Sequence, residues 1–155
     1  GVACEVRPIR PDDETAMKSF EEGLSEAAVK AYMSEAVPLE DRVSHKRLAP
    51  LCHPDFDRQI PLIALVDGKI VATAHMCKLP LTYNARLMVE VDDAFQKQGL
   101  GKYLMEQCVA MAKAEGVQKL GMKYFEDNAA MAKLATEFGF EAAAKDGVVC
   151  ATKVF

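Results

Sequence analysis

Apolar residues recur three or four positions apart in several stretches of the chain, which is the spacing of amphipathic helices. Leu100, Leu104, Cys108 and Met111 follow this spacing, and acidic residues at 12–14 provide a start for an earlier helix. On this basis, helices are predicted over residues 12–22, 25–33, 39–51, 100–116 and 128–138.

Shorter apolar runs between turn residues predict the strands of a β-sheet. The dense run at 60–66 ends at Asp67-Gly68, a pair typical of two-residue hairpins, and a second turn leads into a strand at 85–91. We expect the strands on either side of these turns to form an antiparallel meander. Strands are predicted over residues 4–9, 60–66, 69–76, 85–91, 118–124, 140–144 and 148–155. Together with the helices, they indicate a mixed α/β fold.

Residues 87–104 have the pattern of a strand, a glycine-bearing loop and the first turn of a long helix. Backbone N–H groups at a helix N-terminus attract anions, so the loop is a candidate phosphate site. A Walker loop is excluded because Gln96 stands where its first glycine belongs and Tyr103 replaces its Ser or Thr. A dinucleotide fingerprint is excluded because Gly99-Leu-Gly101 follows a meander. The pattern Q/R-x-x-G-x-G/A remains, and residues 96–101 match it.

Composition and charge narrow the classes of protein further. The chain has 155 residues, half of them apolar and 27% charged, which fits one globular domain over residues 1–155. Gly1 stands where an initiator Met is expected, which is compatible with a domain excised from a longer chain. The net charge of −4 argues against nucleic-acid binding, and no apolar run is long enough to span a membrane. Neither a nucleic acid nor a membrane is therefore expected as a partner.

Cysteine and histidine usage bears on location and metal binding. The five cysteines are odd in number and contain no C-x-x-C pair, which indicates reduced thiols and a cytoplasmic location. The three histidines show no metal-ligand spacing with the cysteines, so no metal site is predicted. The sequence does not indicate an oligomeric state.

The loop and its surroundings resemble a known family. Residues 96–101, preceded by Val89-Glu-Val91 and followed by 128–140, are similar to the GNAT superfamily of acyl-CoA-dependent N-acyltransferases. The resemblance spans essentially the whole chain and implies a mixed, mostly antiparallel sheet of six or seven strands flanked by four or five helices. Looser similarities resemble the acetyltransferase domain of Pat-type bacterial protein lysine acetyltransferases. They lie at residues 6–14, 42–48 and 55–58.

This resemblance implies acetyl-CoA as the cofactor and assigns residues to it. Its pyrophosphate would be bound by the backbone amides of residues 98–102, and Val89 and Val91 would offer main-chain groups to the pantetheine arm. Asn128 matches an asparagine that approaches the cofactor in the family, although its position alone fits an ordinary N-cap equally well. The cofactor loop implied in full comprises Gln96, Lys97, Gln98, Gly99, Leu100, Gly101 and Lys102.

Acetyl transfer to an amine needs a base, because a lysine side chain is mostly protonated at pH 7. The Pat-type resemblance implies a glutamate five residues before Val91, but Arg86 stands there and an arginine cannot act as a base. Glu90 lies on the same face of the strand and is the candidate catalytic base. The alternative is that Glu90 is a partly exposed or an ion-paired strand residue, with Arg86 on its own face as a partner. Glu126 and Asp127 are second candidates, with an ordinary surface loop as the alternative.

The sequence therefore predicts an acetyl-CoA-dependent N-acetyltransferase that transfers acetyl directly to an amine, with a protein lysine as the acceptor. One alternative is a small-molecule amine or an amino acid as acceptor. The other is an acyl-CoA-sensing module whose catalysis is impaired because Arg86 replaces the expected base.

Overall fold

The computed structural model describes residues 3–32 and 37–155; Gly1 and Met33, which two of the expectations involve, lie outside them. The strands are β1 (Glu5–Pro8), β2 (Gln59–Val66), β3 (Lys69–Lys78), β4 (Asn84–Val91), β5 (Lys119–Phe125), β6 (Glu141–Lys145) and β7 (Val148–Val154). They form one seven-stranded sheet in the order β1-β2-β3-β4-β5-β7-β6.

The connections between neighbouring strands agree with the sequence patterns. Asp67 and Gly68 have φ values of 49° and 76°, the left-handed pair that a two-residue hairpin needs. The strands β2, β3 and β4 pair as an antiparallel meander, and only β4 and β5 pair in parallel among the described strands. The predicted meander and the mixed, mostly antiparallel sheet are confirmed.

Helices cover both faces of this sheet. They are α1 (Glu14–Gly23), α2 (Glu26–Tyr32), α3 (Leu39–Arg42), α4 (His45–Cys52), α5 (Leu100–Ala114) and α6 (Ala129–Glu137). Among residues 3–32 and 37–155, no helix combines the length and the apolar character needed to cross a membrane.

The single helix predicted over residues 39–51 is wrong, because the chain breaks between α3 and α4. Ser44 has extended backbone angles, φ −67° and ψ 141°, and its hydroxyl donates to the Asp41 carbonyl at 2.8 Å. The Ser44 carbonyl then accepts the first backbone hydrogen bonds of α4, from the N–H groups of Arg47 and Leu48. A serine that bonds to nearby backbone competes with helix propagation, and apolar spacing does not register this effect.

Successive side chains of β4 point to opposite faces of the sheet. The residues that β4 buries in the core formed with α5 and α6 are Ala85, Leu87 and Val89. Arg86, Met88 and Glu90 occupy the intervening positions, so they share the opposite face of the sheet. That face carries a second core, to which α1, α2 and α4 contribute Phe20, Ala28 and Leu48.

The parallel strands β4 and β5 pair over a short distance only. Their register runs from Asn84 opposite Lys119 to Arg86 opposite Gly121, and no further pair joins them in the described part of the chain. Beyond Arg86, β4 therefore keeps β3 as its partner and leaves its other edge without a strand. An exposed strand edge presents main-chain donors and acceptors to whatever lies beside it.

Candidate active site

The loop between β4 and α5 is ordered by its own side chains. The Asp92 carboxylate accepts from the Ala94 N–H at 2.8 Å, which turns the chain at the end of β4. The Gln96 side chain donates to the Val91 carbonyl at 3.1 Å, and that of Gln98 donates to the Ala94 carbonyl at 2.9 Å. These contacts hold the loop in one shape before any ligand arrives.

Backbone donors collect where this loop enters α5. The first bond of the helix runs from the Tyr103 N–H to the Gly99 carbonyl, so the N–H groups of Leu100, Gly101 and Lys102 precede the helical ladder. The helix has 15 residues, and its dipole favours an anion at this end. The side chain of Lys102 is paired with Glu137 of α6, which leaves its N–H as the group facing the loop.

The two loop glycines have different structural reasons. Gly99 has φ +87°, a left-handed conformation that L-residues adopt at a cost, and a Cβ there would meet nothing within 4 Å. At Gly101 the backbone is ordinary, and a Cβ would lie 3.5 Å from the Val91 Cγ2, which is normal contact. The requirement for glycine at 99 is therefore conformational. Lys97 also has a left-handed φ of 59°, a strained conformation of the kind that concentrates at functional sites.

An open cavity of about 470 Å³ lies beside the loop between β4 and α5. Phe95, Gln98 and Tyr103 line it together with Val6 and Val66 from the ends of β1 and β2. The loop thus has an apolar recess on one side and the unpaired edge of β4 on the other.

Helix α2 lies across β4 and β5 and is held at both ends. Just before its N-terminus, the Ser25 hydroxyl donates to the Asp93 carboxylate at 2.7 Å. Near its C-terminus, the Asn128 amide donates to the Ala31 carbonyl at 2.8 Å, and Lys30 pairs with Asp127 at 3.0 Å. The segments that follow β4 and β5 are therefore tied to one helix.

Asn128 is an N-cap in this structure. Its side-chain oxygen accepts from the Met131 N–H at 3.0 Å, so it satisfies a donor at the start of α6. Its contact with the cofactor stays a prediction.

Glu90 is deeply buried, with 3% of its surface exposed, and its Oε1 has no hydrogen-bond partner among the described residues. The alternative of a partly exposed Glu90 is therefore wrong, and no salt bridge joins it to the exposed Arg86 among the described residues. Burial raises the pKa of Glu90 well above its usual value, and the neighbouring Glu21 raises it further, while Arg42 and Arg47 oppose the rise. A raised pKa makes a carboxylate a better proton acceptor, and carboxyl groups perturbed by burial and nearby charges concentrate at functional sites.

The surroundings of Glu90 come from distant parts of the sequence. Arg42 donates to the Glu21 carboxylate at 3.0 Å, and the two side chains are only 7% and 3% exposed. Thr73 lies directly opposite Glu90 on β3. Both residues line a small cavity, together with His75. Sequence reasoning missed Glu21, Arg42 and Thr73, because their contact depends on the packing of α1 and α3 over the sheet. Glu126 and Asp127 are exposed, in agreement with the surface-loop alternative.

Comparison with known proteins identifies the class of protein. Residues 23–140 match the acetyltransferase (GNAT) family, so the chain belongs to that family. The GNAT domain of S. lividans PAT superposes with a TM-score of 0.86 at 27% identity, covering 98% of this chain and 90% of that one. The family, the enzyme class of N-acetyltransferase and acetyl-CoA as the cofactor are confirmed.

Two further solved structures share the fold at lower identity. PaiA N-acetyltransferase from Thermoplasma acidophilum, in complex with coenzyme A, gives a TM-score of 0.79 at 12% identity and covers 99% of this chain and 100% of that one. Ribosomal-protein-S5-alanine acetyltransferase from Vibrio fischeri gives 0.80 at 15% identity, with 97% and 92% covered.

Proposed function

We propose that this acetyltransferase transfers acetyl from acetyl-CoA directly to a lysine side chain of a protein, with Glu90 as the general base. The observation that carries the proposal is the buried Glu90 carboxylate, whose Oε1 has no partner among the described residues and borders a cavity. Similarity to the GNAT domain of S. lividans PAT supports a Pat-type acceptor.

The donor is proposed to lie along the free edge of β4 with its pyrophosphate at the start of α5. Three N–H groups outside the helical ladder, at Leu100, Gly101 and Lys102, support this position together with the helix dipole. Gln98 and Gly99 would add their amides, while Gln96 and Lys97 shape the loop. Val89 and Val91 would offer main-chain groups to the pantetheine arm, like an added strand.

The chemistry needs a proton acceptor because a lysine ammonium is not a nucleophile. Deprotonating an unperturbed lysine at pH 7 costs about 4–5 kcal/mol. The raised pKa of Glu90 makes its carboxylate a stronger proton acceptor than an ordinary glutamate. The neutral amine then attacks the thioester carbonyl, and a backbone N–H at the free edge of β4 would stabilise the oxyanion.

Incubating the protein with labelled acetyl-CoA and separate pools of proteins, amino acids and small amines tests the function. Label on protein lysines is the expected result. Label confined to small amines or amino acids would show that the acceptor is a small molecule and not a protein. Binding of acetyl-CoA without any transfer would favour the sensing module.

The role of Glu90 is tested with two isosteric variants. Glu90→Gln should lower kcat at least about 100-fold, the usual contribution of a general base, and leave acetyl-CoA affinity unchanged. The matched control is Glu126→Gln, which changes an exposed carboxylate in the loop after β5. An unchanged rate in the Glu90 variant would rule out this residue as the base.

We also propose a cytoplasmic location. All five cysteines are free, including the exposed Cys4 and Cys150, which suits a reducing compartment.

A further inference from the structure

Three charged side chains from separate elements meet on the face of the sheet that carries Glu90. Glu21 of α1 and Arg42 of α3 form a hydrogen-bonded ion pair at 3.0 Å, and Glu90 of β4 lies beside them with 3% exposure. The formal charge of this buried group is −1 when both carboxyls are ionised. Two carboxylates near one another in a buried site favour sharing a proton.

Polar atoms in the same region lack protein partners among residues 3–32 and 37–155. They are Glu90 Oε1, His75 Nε2 and Arg42 Nε. A cavity of about 30 Å³ is lined by Glu21, Thr73, His75 and Glu90, among others. Since a water molecule needs about 10–15 Å³ of such a cavity, there is room for about two. Most of the lining is apolar, and the unpaired Glu90 and His75 atoms are the polar groups that a water in the cavity would satisfy.

A purely structural role accounts poorly for this arrangement. Apolar residues of similar volume in place of a buried ion pair are often neutral or stabilising, and an incompletely paired polar network costs stability. Here a second carboxylate has been added beside the pair, with one oxygen left free. A structural ion pair needs no such neighbour, whereas a proton-exchanging group does.

We infer that Glu21 and Arg42 are positioning residues for the base Glu90: their buried ion pair lies beside its carboxyl and sets the charge that it meets. This inference rests on the proposed function. The Glu21–Arg42 pair fixes the charge that Glu90 meets and thus how readily it takes the proton.

The step balances without a further reactant. The acceptor ammonium gives one proton to Glu90 Oε1, and the carboxylate becomes a carboxylic acid. The amine lone pair forms the N–C bond, the C–S bond breaks, and its electron pair leaves on the CoA sulfur. The second amine proton goes to this thiolate, and Glu90 returns its proton to solvent.

The charges that face Glu90 predict opposite effects for the two partners. Glu21 on α1 raises the pKa of Glu90, whereas Arg42 on α3 and Arg47 on α4 lower it. From β3, Thr73 also lowers it, and the half-buried His75 has its own pKa lowered by desolvation. Removing the charge of Glu21 should therefore ease ionisation of Glu90, and removing that of Arg42 should hinder it.

The test compares the pH dependence of kcat/KM in Glu21→Gln, Arg42→Gln and the wild type. The acidic limb should move to lower pH by about one unit in the first variant and to higher pH by a similar amount in the second, as expected for a nearby charge. Glu22→Gln is the matched control, because Glu22 is the exposed neighbour on α1 and should leave the profile unchanged. Arg42→Lys, which keeps the charge, should restore the wild-type profile.

A second measurement separates this inference from the proposed function. The titration of the Glu90 carboxyl, followed by ¹³C NMR and assigned with Glu90→Gln, should show the same opposite shifts without any substrate. If a glutamine variant does not fold, Arg42→Lys should still titrate like the wild type. Unchanged midpoints, or shifts in one direction, would overturn the inference. The expected shifts without acetyl transfer would count against the proposed function and leave the coupling intact.

Discussion

The left-handed conformation of Gly99 allows a sharp test of the loop. Gly99→Ala places a Cβ where φ is +87° and nothing lies within 4 Å, so any effect comes from the backbone and not from a clash. Gly101→Ala is the matched control two positions later, because the backbone there is ordinary and the added Cβ would make a normal 3.5 Å contact with Val91.

The two substitutions should change the free energy of unfolding in opposite directions. Holding an L-residue in the left-handed region costs about 1–2 kcal/mol, so Gly99→Ala should destabilise the protein by that amount or turn the loop to escape it. Gly101→Ala should instead gain about 0.5–1 kcal/mol, since alanine is the better helix former. A turned loop would misdirect the amides of Leu100 and Gly101, and one lost hydrogen bond to a charged phosphate is worth about 1.5–3 kcal/mol.

Urea unfolding of the free protein and calorimetric titration with coenzyme A measure the two effects. We expect Gly99→Ala to be less stable and to bind about 10- to 150-fold more weakly, from the energy of one such bond. Gly101→Ala should be at least as stable as the wild type and bind normally. Asparagine tolerates the left-handed region better than alanine, so Gly99→Asn should recover part of the loss. Wild-type affinity in Gly99→Ala would refute the assignment of this loop to the pyrophosphate.

Two further predictions concern stability. Asn128→Ala should cost about 1 kcal/mol in urea unfolding, because it removes the cap of α6; unchanged coenzyme A affinity in this variant would show that Asn128 serves only as a cap. Asp13 accepts from the Arg7 guanidinium at 2.7 and 2.8 Å, which lowers its pKa below the usual 3.8. This stabilisation is present above about pH 4 and is lost as the pH falls through the folded-state pKa. Asp13→Asn should therefore be less stable at neutral pH and lose less stability on acidification; parallel pH–stability curves would contradict this.

The sequence alone was sufficient for most local signals, although the break between α3 and α4 at Ser44 was missed. The Asp67-Gly68 hairpin, the glycine at position 99 and the strand-loop-helix order around residues 87–104 depend on backbone preferences within a few positions. The same holds for the strand boundaries, which follow apolar runs between turn residues and agree with the structure to within a few residues. These local signals were enough to indicate the family and its cofactor loop.

Only the tertiary structure decided the environment of the base. Glu21, Arg42 and Glu90 are separated by 20 or more positions in the sequence and meet because α1 packs on β3, the neighbour of β4, and α3 packs on α1. Nothing in the neighbouring residues indicates that Glu90 is buried or that Arg86, on the same face, is exposed. Burial and long-range charge contact depend on how elements pack together, and a residue's protonation follows from that packing more than from its type.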